Sequence, residues 1–209
     1  MDWSKGYTVY YYMTLVDPAT WRSTDKIKIR GGKISRSDSL MMESADIDCS
    51  SFPSGVERWV RVWMDVRQAG ASAHTALFTG LATSPKRDIK GNLINCSVEC
   101  YSVLKPAADV LLPRGWYALA GQNGGDLIKS LLIGPAPVEV SGTAPALSES
   151  IIAEDGETNL SMVRKILLAI GWRIRISGEG EVTICPPAEE VSARFGGDND
   201  CIETALSIT

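Results

Sequence analysis

The 209-residue chain has a single histidine, His74, and that limits the chemistry it can support. A zinc centre built on imidazoles needs several of them. A Ser-His-acid triad would have to use His74, and the Gly-x-Ser-x-Gly elbow that exposes such a serine is absent. His74 follows the polar turn Gln68-Ala69-Gly70-Ala71-Ser72-Ala73 and opens an alternating run, so it reads as an edge or surface residue. Cys96 and Cys100 fall on one face of a strand, roughly 13 Å apart at ~3.3 Å per residue. That is too far for a shared metal or for a disulfide, whose Cα atoms lie within about 7 Å of each other. The glycine cluster Gly121-Gln122-Asn123-Gly124-Gly125 precedes a helix, where an anion can bind. It lacks both the Lys-Ser/Thr ending of a phosphate loop and the dinucleotide fingerprint, and reads as a capped turn.

Carboxylates remain. Glu43, Asp46 and Asp48 form one cluster, and Glu154, Asp155 and Glu157 another. A pair of carboxylates can act as the acid and base of a glycosidase. Asp46 and Asp48 share one face of a presumed strand about 7 Å apart, so that geometry is open to them. Glu154 to Glu157 stand where a helix dipole favours acids. Solvated faces and helix-start electrostatics account for both clusters. The residues thus predict no catalytic, cofactor-binding or metal-binding site, and no enzyme.

The elements that would carry these residues are mostly strands. Residues 7–16 are aromatic and β-branched, and Asp17-Pro18 ends the run. Lys26 to Arg30 alternates, Gly31-Gly32 follows, and Lys33 to Ser37 resumes, which predicts a hairpin with a glycine turn. In Arg58 to Val66, Val60, Val62, Met64 and Val66 share a core face. Trp59, Arg61, Trp63 and Asp65 share the other, which a neighbouring element or subunit would cover. His74–Ala82 and Asn95–Tyr101 are further strands, with a turn around Pro85 and Gly91 between them. Short strands punctuated by turns predict a sandwich or a barrel.

After about residue 102 the character changes. Leu127, Ile128, Leu131 and Leu132 have helical spacing, and 134–145 reads as a connecting segment rich in Gly, Pro, Ala and Ser. Thr158 is an N-cap, Leu160, Val163, Ile166, Leu167 and Ile170 follow at 3.6-residue spacing, and Gly171 stops the helix. Trp172–Ile176 and Glu181–Cys185 make a hairpin around Ser177-Gly178-Glu179-Gly180, with Arg173 and Arg175 on its wet face. The unit is small and must lean on something else for its core. The last residues read as a linker leading into a strand, which suggests a chain that continues further.

Composition sets the outer bounds. The net charge is −4 with no basic block, so the phosphate-neutralising footprint of a nucleic-acid binder is missing. No stretch approaches the ~20 apolar residues of a membrane span. Met1-Asp2-Trp3-Ser4-Lys5 has no signal-peptide pattern, which predicts synthesis and first folding in a cytoplasm. The cysteines Cys49, Cys96, Cys100, Cys185 and Cys201 are odd in number, lack framework spacing, and read as small buried hydrophobes.

The order Ser44-Ala45-Asp46-Ile47-Asp48-Cys49, Trp59-Val60-Arg61-Val62-Trp63, Leu77-Phe78-Thr79-Gly80-Leu81-Ala82 and Ser97-Val98-Glu99-Cys100-Tyr101-Ser102-Val103-Leu104 resembles the front part of phage and prophage tail proteins of the baseplate hub type. The likeness covers roughly residues 25–209 and extends to the Thr158-to-Ile184 helix and hairpin. It implies a mainly β fold with a smaller α+β part. A small β-barrel or split barrel over 1–105, closed by the Phe-x-Gly strand, would be followed by a helix-plus-hairpin subdomain over 106–187. Residues 188–209 would be a linker and the start of a further strand. The resemblance also implies a structural role at the tail tip, joining tail tube to distal parts, with tail tube protein, distal tail protein or fibres as partners. It implies a homotrimer in the full-length protein, in a virion tail assembled in the host cytoplasm, with no cofactor and no specific nucleic-acid binding. The sequence departs from the family's pattern by stopping before a second barrel.

Trp59 and Trp63 are the candidate interface residues on this reading, with packing beneath the second unit as the equal alternative. The competing readings are a phage-associated cell-wall glycosidase and a carbohydrate-binding module that stacks sugars on Tyr7, Tyr10, Tyr11 and Tyr12.

Overall fold

The computed structural model describes residues 6–37, 42–53, 57–83, 85–90 and 93–187. Cys201 and the linker expected over 188–209 lie outside them. The first half of the chain forms β1 (Thr8–Val16), β2 (Ser23–Ser37), β3 (Met42–Cys49), β4 (Arg58–Gln68), β5 (Ala71–Ala82), β6 (Lys86–Lys90) and β7 (Leu93–Ser102). Their order in the sheet is β3-β2-β1-β4-β5-β7-β6, and β3 also pairs with β7. That extra pairing closes six strands into a barrel and leaves β6 outside the ring, as an arm on β7. Every ladder is antiparallel. Alternation sends Met13, Val60, Val62, Phe78, Ile47, Val98, Cys49, Cys96 and Cys100 inward, where all are buried.

Closure depends on Phe78-Thr79-Gly80. Gly80 to Ala82 pair with Ser102 to Cys100, and the Phe78 side chain is fully buried. A Cβ on Gly80 would stand 2.2 Å from the Tyr101 carbonyl oxygen and 2.5 Å from the Phe78 ring. Only glycine lets β7 approach that closely over the ring.

The hairpin expected at Gly31-Gly32 is not there. Residues 23–37 form one continuous strand, paired with β1 through Lys28 and with β3 from Ile29 onward. The register shifts between Ile29 and Gly31, as at a bulge, and neither glycine has a positive φ. Gly32 instead answers a close approach: a Cβ there would lie 2.7 Å from the Asp46 carbonyl oxygen. The expected turn around Pro85 also carries a strand of its own, β6.

The second half builds α1 (Lys105–Asp109), β8 (Tyr117–Ala118), α2 (Gly124–Leu131), β9 (Val138–Val140), β10 (Ile151–Ile152), α3 (Asn159–Ile170), β11 (Arg173–Ile176) and β12 (Val182–Cys185). The hairpin β11–β12 gains a parallel third strand, β9, from the stretch read as a connecting segment. Helix α3 starts as expected. The Thr158 hydroxyl accepts from the Ser161 N–H at 3.2 Å, and the Ser161 hydroxyl accepts from the Thr158 N–H at 3.0 Å. Gly171 ends it in the left-handed region. Leu160, Met162, Val163, Ile166 and Leu167 bury against Ile128, Leu131, Val182 and Ile184. The same core runs on into Val16, Trp59, Val103 and Leu104, so the second unit borrows part of its core from the barrel's outer surface. No described helix is long and apolar enough to cross a membrane.

Two outcomes follow from this packing. Gly80→Ala lowers stability by roughly 3 kcal/mol in urea titration, because β7 must yield to the new methyl. Burial pushes the thiols of Cys49 and Cys100 up to about 12, so both remain neutral at pH 8. In the native protein a thiol reagent at that pH leaves both unmodified by peptide mass mapping, and adding denaturant makes them react.

Candidate interaction surface

The outer face of β1, β2, β4 and β5 is divided into a covered half and an open half. Cross-strand register sets the rows. Val16, Trp59 and Leu81 form one row, and Lys26, Thr14, Arg61 and Thr79 the next. Lys28, Tyr12, Trp63 and Ala76 come third, then Tyr10, Asp65 and His74.

The first row and the Arg61–Thr79 end of the second meet the second unit, while Lys26 at the other end of the second row is exposed. Arg61 is only 4% exposed although it is charged. Its Nε donates to the Thr79 hydroxyl at 2.9 Å, and its Nη2 donates to the Glu179 carbonyl at 2.7 Å. The Thr79 hydroxyl donates to the Gly178 carbonyl at 2.8 Å, and the Trp21 indole N–H to the Glu179 carbonyl at 3.0 Å. The turn of the β11–β12 hairpin is thus held by three side chains of the barrel. Burial lowers the Arg61 pKa, while the charges of Glu179 and Glu181 oppose that shift. Trp21 sits at a positive φ of 56° and packs edge-on against Trp59, with centroids 5.4 Å apart. A turn organised by Asp17 holds Trp21 there, the carboxylate accepting from the Ala19 N–H and the Thr20 hydroxyl.

The two candidate tryptophans therefore have different surroundings. Trp59 is 9% exposed and belongs to the core beneath the second unit. Trp63 is half-buried at the boundary. Its indole N–H donates to the Thr14 hydroxyl at 3.1 Å, and its ring stacks on His74 with centroids 4.2 Å apart. His74 is a surface residue, as its position in the sequence implies, and it also pairs with the Asp65 carboxylate.

Beyond His74 the face is open. Lys26 lies 3.3 Å from the Tyr12 ring centroid, and the Arg67 guanidinium 5.3 Å from that of Tyr10. Tyr10, Tyr11, Tyr12, Lys26, Lys28, Asp65 and Arg67 line an open groove of about 610 Å3. Tyr10 and Tyr12 project to this outer face, while Tyr11 points the other way, so the four tyrosines do not form a flat row. Cations already cover ring faces of Tyr10 and Tyr12, and His74 covers one of Trp63.

The other residues with chemical potential lie apart. Glu43 shares the inward side of β3 with Ala45 and Ile47 and pairs with Arg36 at 3.0 Å. Burial raises its pKa, and Arg36 opposes the rise. Asp46 and Asp48 are exposed on the opposite side. Glu154 and Glu157 both hold Lys165, at 3.3 and 2.9 Å. Asn123 caps α2 by accepting from the Asp126 N–H, which fills the helix start that followed the glycines. Cys49 is the direct cross-strand partner of Cys96, a juxtaposition hidden from sequence spacing because 47 residues separate them. Arg173 is not on a fully wet face, since its Nε is buried. Among the described residues no three His, Cys, Asp or Glu side chains gather as a metal site would require.

Arg61→Ala lowers stability by about 3 kcal/mol in chemical denaturation, since it leaves the Glu179 carbonyl and the Thr79 hydroxyl short of a partner. Trp21 and Trp59 fluorescence shifts at lower denaturant than in the parent if the hairpin turn undocks first, as this arrangement predicts.

No family model matches the sequence, and no curated protein is similar to it. Solved structures are. The tail protein from Neisseria meningitidis MC58 superimposes with a TM-score of 0.62 at 17% identity, over 86% of this chain and 51% of that one. The 43 kDa tail protein of prophage MuSo2 from Shewanella oneidensis gives 0.58 at 14% identity, over 85% and 53%. A chain of the lidless PdpA-VgrG complex gives 0.54 at 10% identity, over 87% and 35%. This chain spans about half the length of the two tail proteins. The barrel closed by Phe78-Thr79-Gly80 and the helix-plus-hairpin unit docked on its outer face together make a fold that this chain shares with those two tail proteins and with the PdpA-VgrG chain.

Proposed function

We propose that the chain is a structural component of a phage or prophage tail tip or baseplate hub, connecting the tail tube to distal tail parts. The observation that carries this is the shared arrangement of barrel and docked second unit, which extends over 86% of the chain in a tail protein. Such a role asks for rigid surfaces rather than a reactive cleft. The buried Arg61 contacts supply that rigidity between the two units. The dispersal of the carboxylates supports a part without catalysis of its own: Glu43 faces inward, Asp46 and Asp48 outward, and Glu154 and Glu157 are engaged with Lys165. The partners are other tail proteins: the tube protein, a distal tail protein or fibres. The full-length protein is a homotrimer that assembles in the host cytoplasm and ends in the virion tail.

Immunogold labelling of induced particles that carry an epitope-tagged copy tests the location. Gold is expected at the distal end of the tail. Gold along the tube, or particles without gold, sinks the hub reading. A turbidity assay on host cell walls separates it from the glycosidase alternative, since the purified chain is expected to cause no clearing.

A further inference from the structure

The two edges of β1 are used unequally. On the β4 side all nine residues, Thr8 to Val16, have partners. On the β2 side the pairing runs only from Val16 to Tyr12, because β2 leaves at Ile29 to follow β3. Among the described residues no strand takes the remaining edge of Thr8–Tyr11. An open edge offers alternate N–H and C=O groups to any extended chain that arrives, and proteins blunt such edges with proline or inward charge. Neither device is present in Thr8-Val9-Tyr10-Tyr11.

The groove beside this edge is cationic. Lys26, Lys28 and Arg67 are exposed, and the carboxylate among them, Asp65, is engaged by His74. This stands out in a chain of net charge −4. One face of Tyr12 already lies under Lys26 and one face of Tyr10 beside Arg67, which leaves less ring for stacking a sugar. The two rings act instead as supports that fix the cations in place. A strand added opposite Thr8 and Tyr10 would extend the line that Lys26 and Lys28 make along β2. Every second side chain of that strand would then stand on the outer face, among Lys28, Tyr10 and Arg67.

We propose that the Thr8–Tyr11 edge accepts an extended acidic strand from a partner protein, with main-chain bonds to β1 and alternate carboxylates facing Lys26, Lys28 and Arg67. The edge and its cations would take such a strand whether or not the chain sits in a tail.

A fluorescein-labelled peptide alternating glutamate with valine is the probe, titrated against the full chain by anisotropy, with amide exchange followed by NMR. Saturable binding is expected, with alternate amides of Thr8–Tyr11 gaining protection. The K26E/K28E variant is expected to weaken it about tenfold, the scale of two exposed charge contacts. Both lysines are exposed, so an unchanged melting temperature certifies that the variant is folded. Peptide binding that leaves those amides exchanging freely overturns the proposal, as does equal binding of heparin or duplex DNA, as does no binding at millimolar peptide.

Discussion

A guanidinium that has lost its water organises this molecule. Arg61 projects from the middle of a barrel strand onto a face that the strand's own alternation would leave wet. Burying a charge is costly unless its donors are satisfied. Here its donors reach the Thr79 hydroxyl, the Trp21 carbonyl and the Glu179 carbonyl, the last in a turn far along the chain. The contact fixes where the second unit must sit, and the hydrophobic contacts of Val16, Trp59 and Leu81 with that unit follow from it. The second unit in turn has a small core of its own, completed by those barrel residues. Neither half of the interface makes sense as a free surface.

Docking also decides what the rest of the outer face can be. The covered rows end near Trp63, and past it lie the tyrosines, the cations and the open edge of β1. A single face thus serves two ends: one permanently occupied by the same chain, the other exposed and charged. The division follows the bend of β2, which abandons β1 halfway to reach β3.

Much of this was legible in the sequence where local rules suffice. The alternation of Val60, Val62 and Val66 told which face lines the barrel, and Thr158 and Gly171 marked the ends of the long helix. The Phe-x-Gly strand was recognisable by its place in the order of elements. What stayed hidden depends on distant partners. Gly31-Gly32 has the composition of a turn, but the strand runs straight through it, and close approach to β3 explains Gly32. Val138–Val140 is too short to announce itself as a strand without β12 beside it. Trp59 and Trp63 looked equivalent by period, and only the docked unit distinguishes them. The open edge of β1 was out of reach, since it is created by where β2 goes rather than by what β1 contains.

The separation of Arg61 from its partner along the chain has a temporal side. Glu179 follows Arg61 by 118 residues. At synthesis rates of about 5–20 residues per second, roughly 6–24 s pass between the appearance of one and of the other. During that interval β1 to β7 can all emerge and close, with Arg61 hydrated on an uncovered wall beside Trp59 and Trp21. Dehydration of that cation therefore cannot precede synthesis of the hairpin. A nascent chain halted before the hairpin would display its adhesive face to its neighbours.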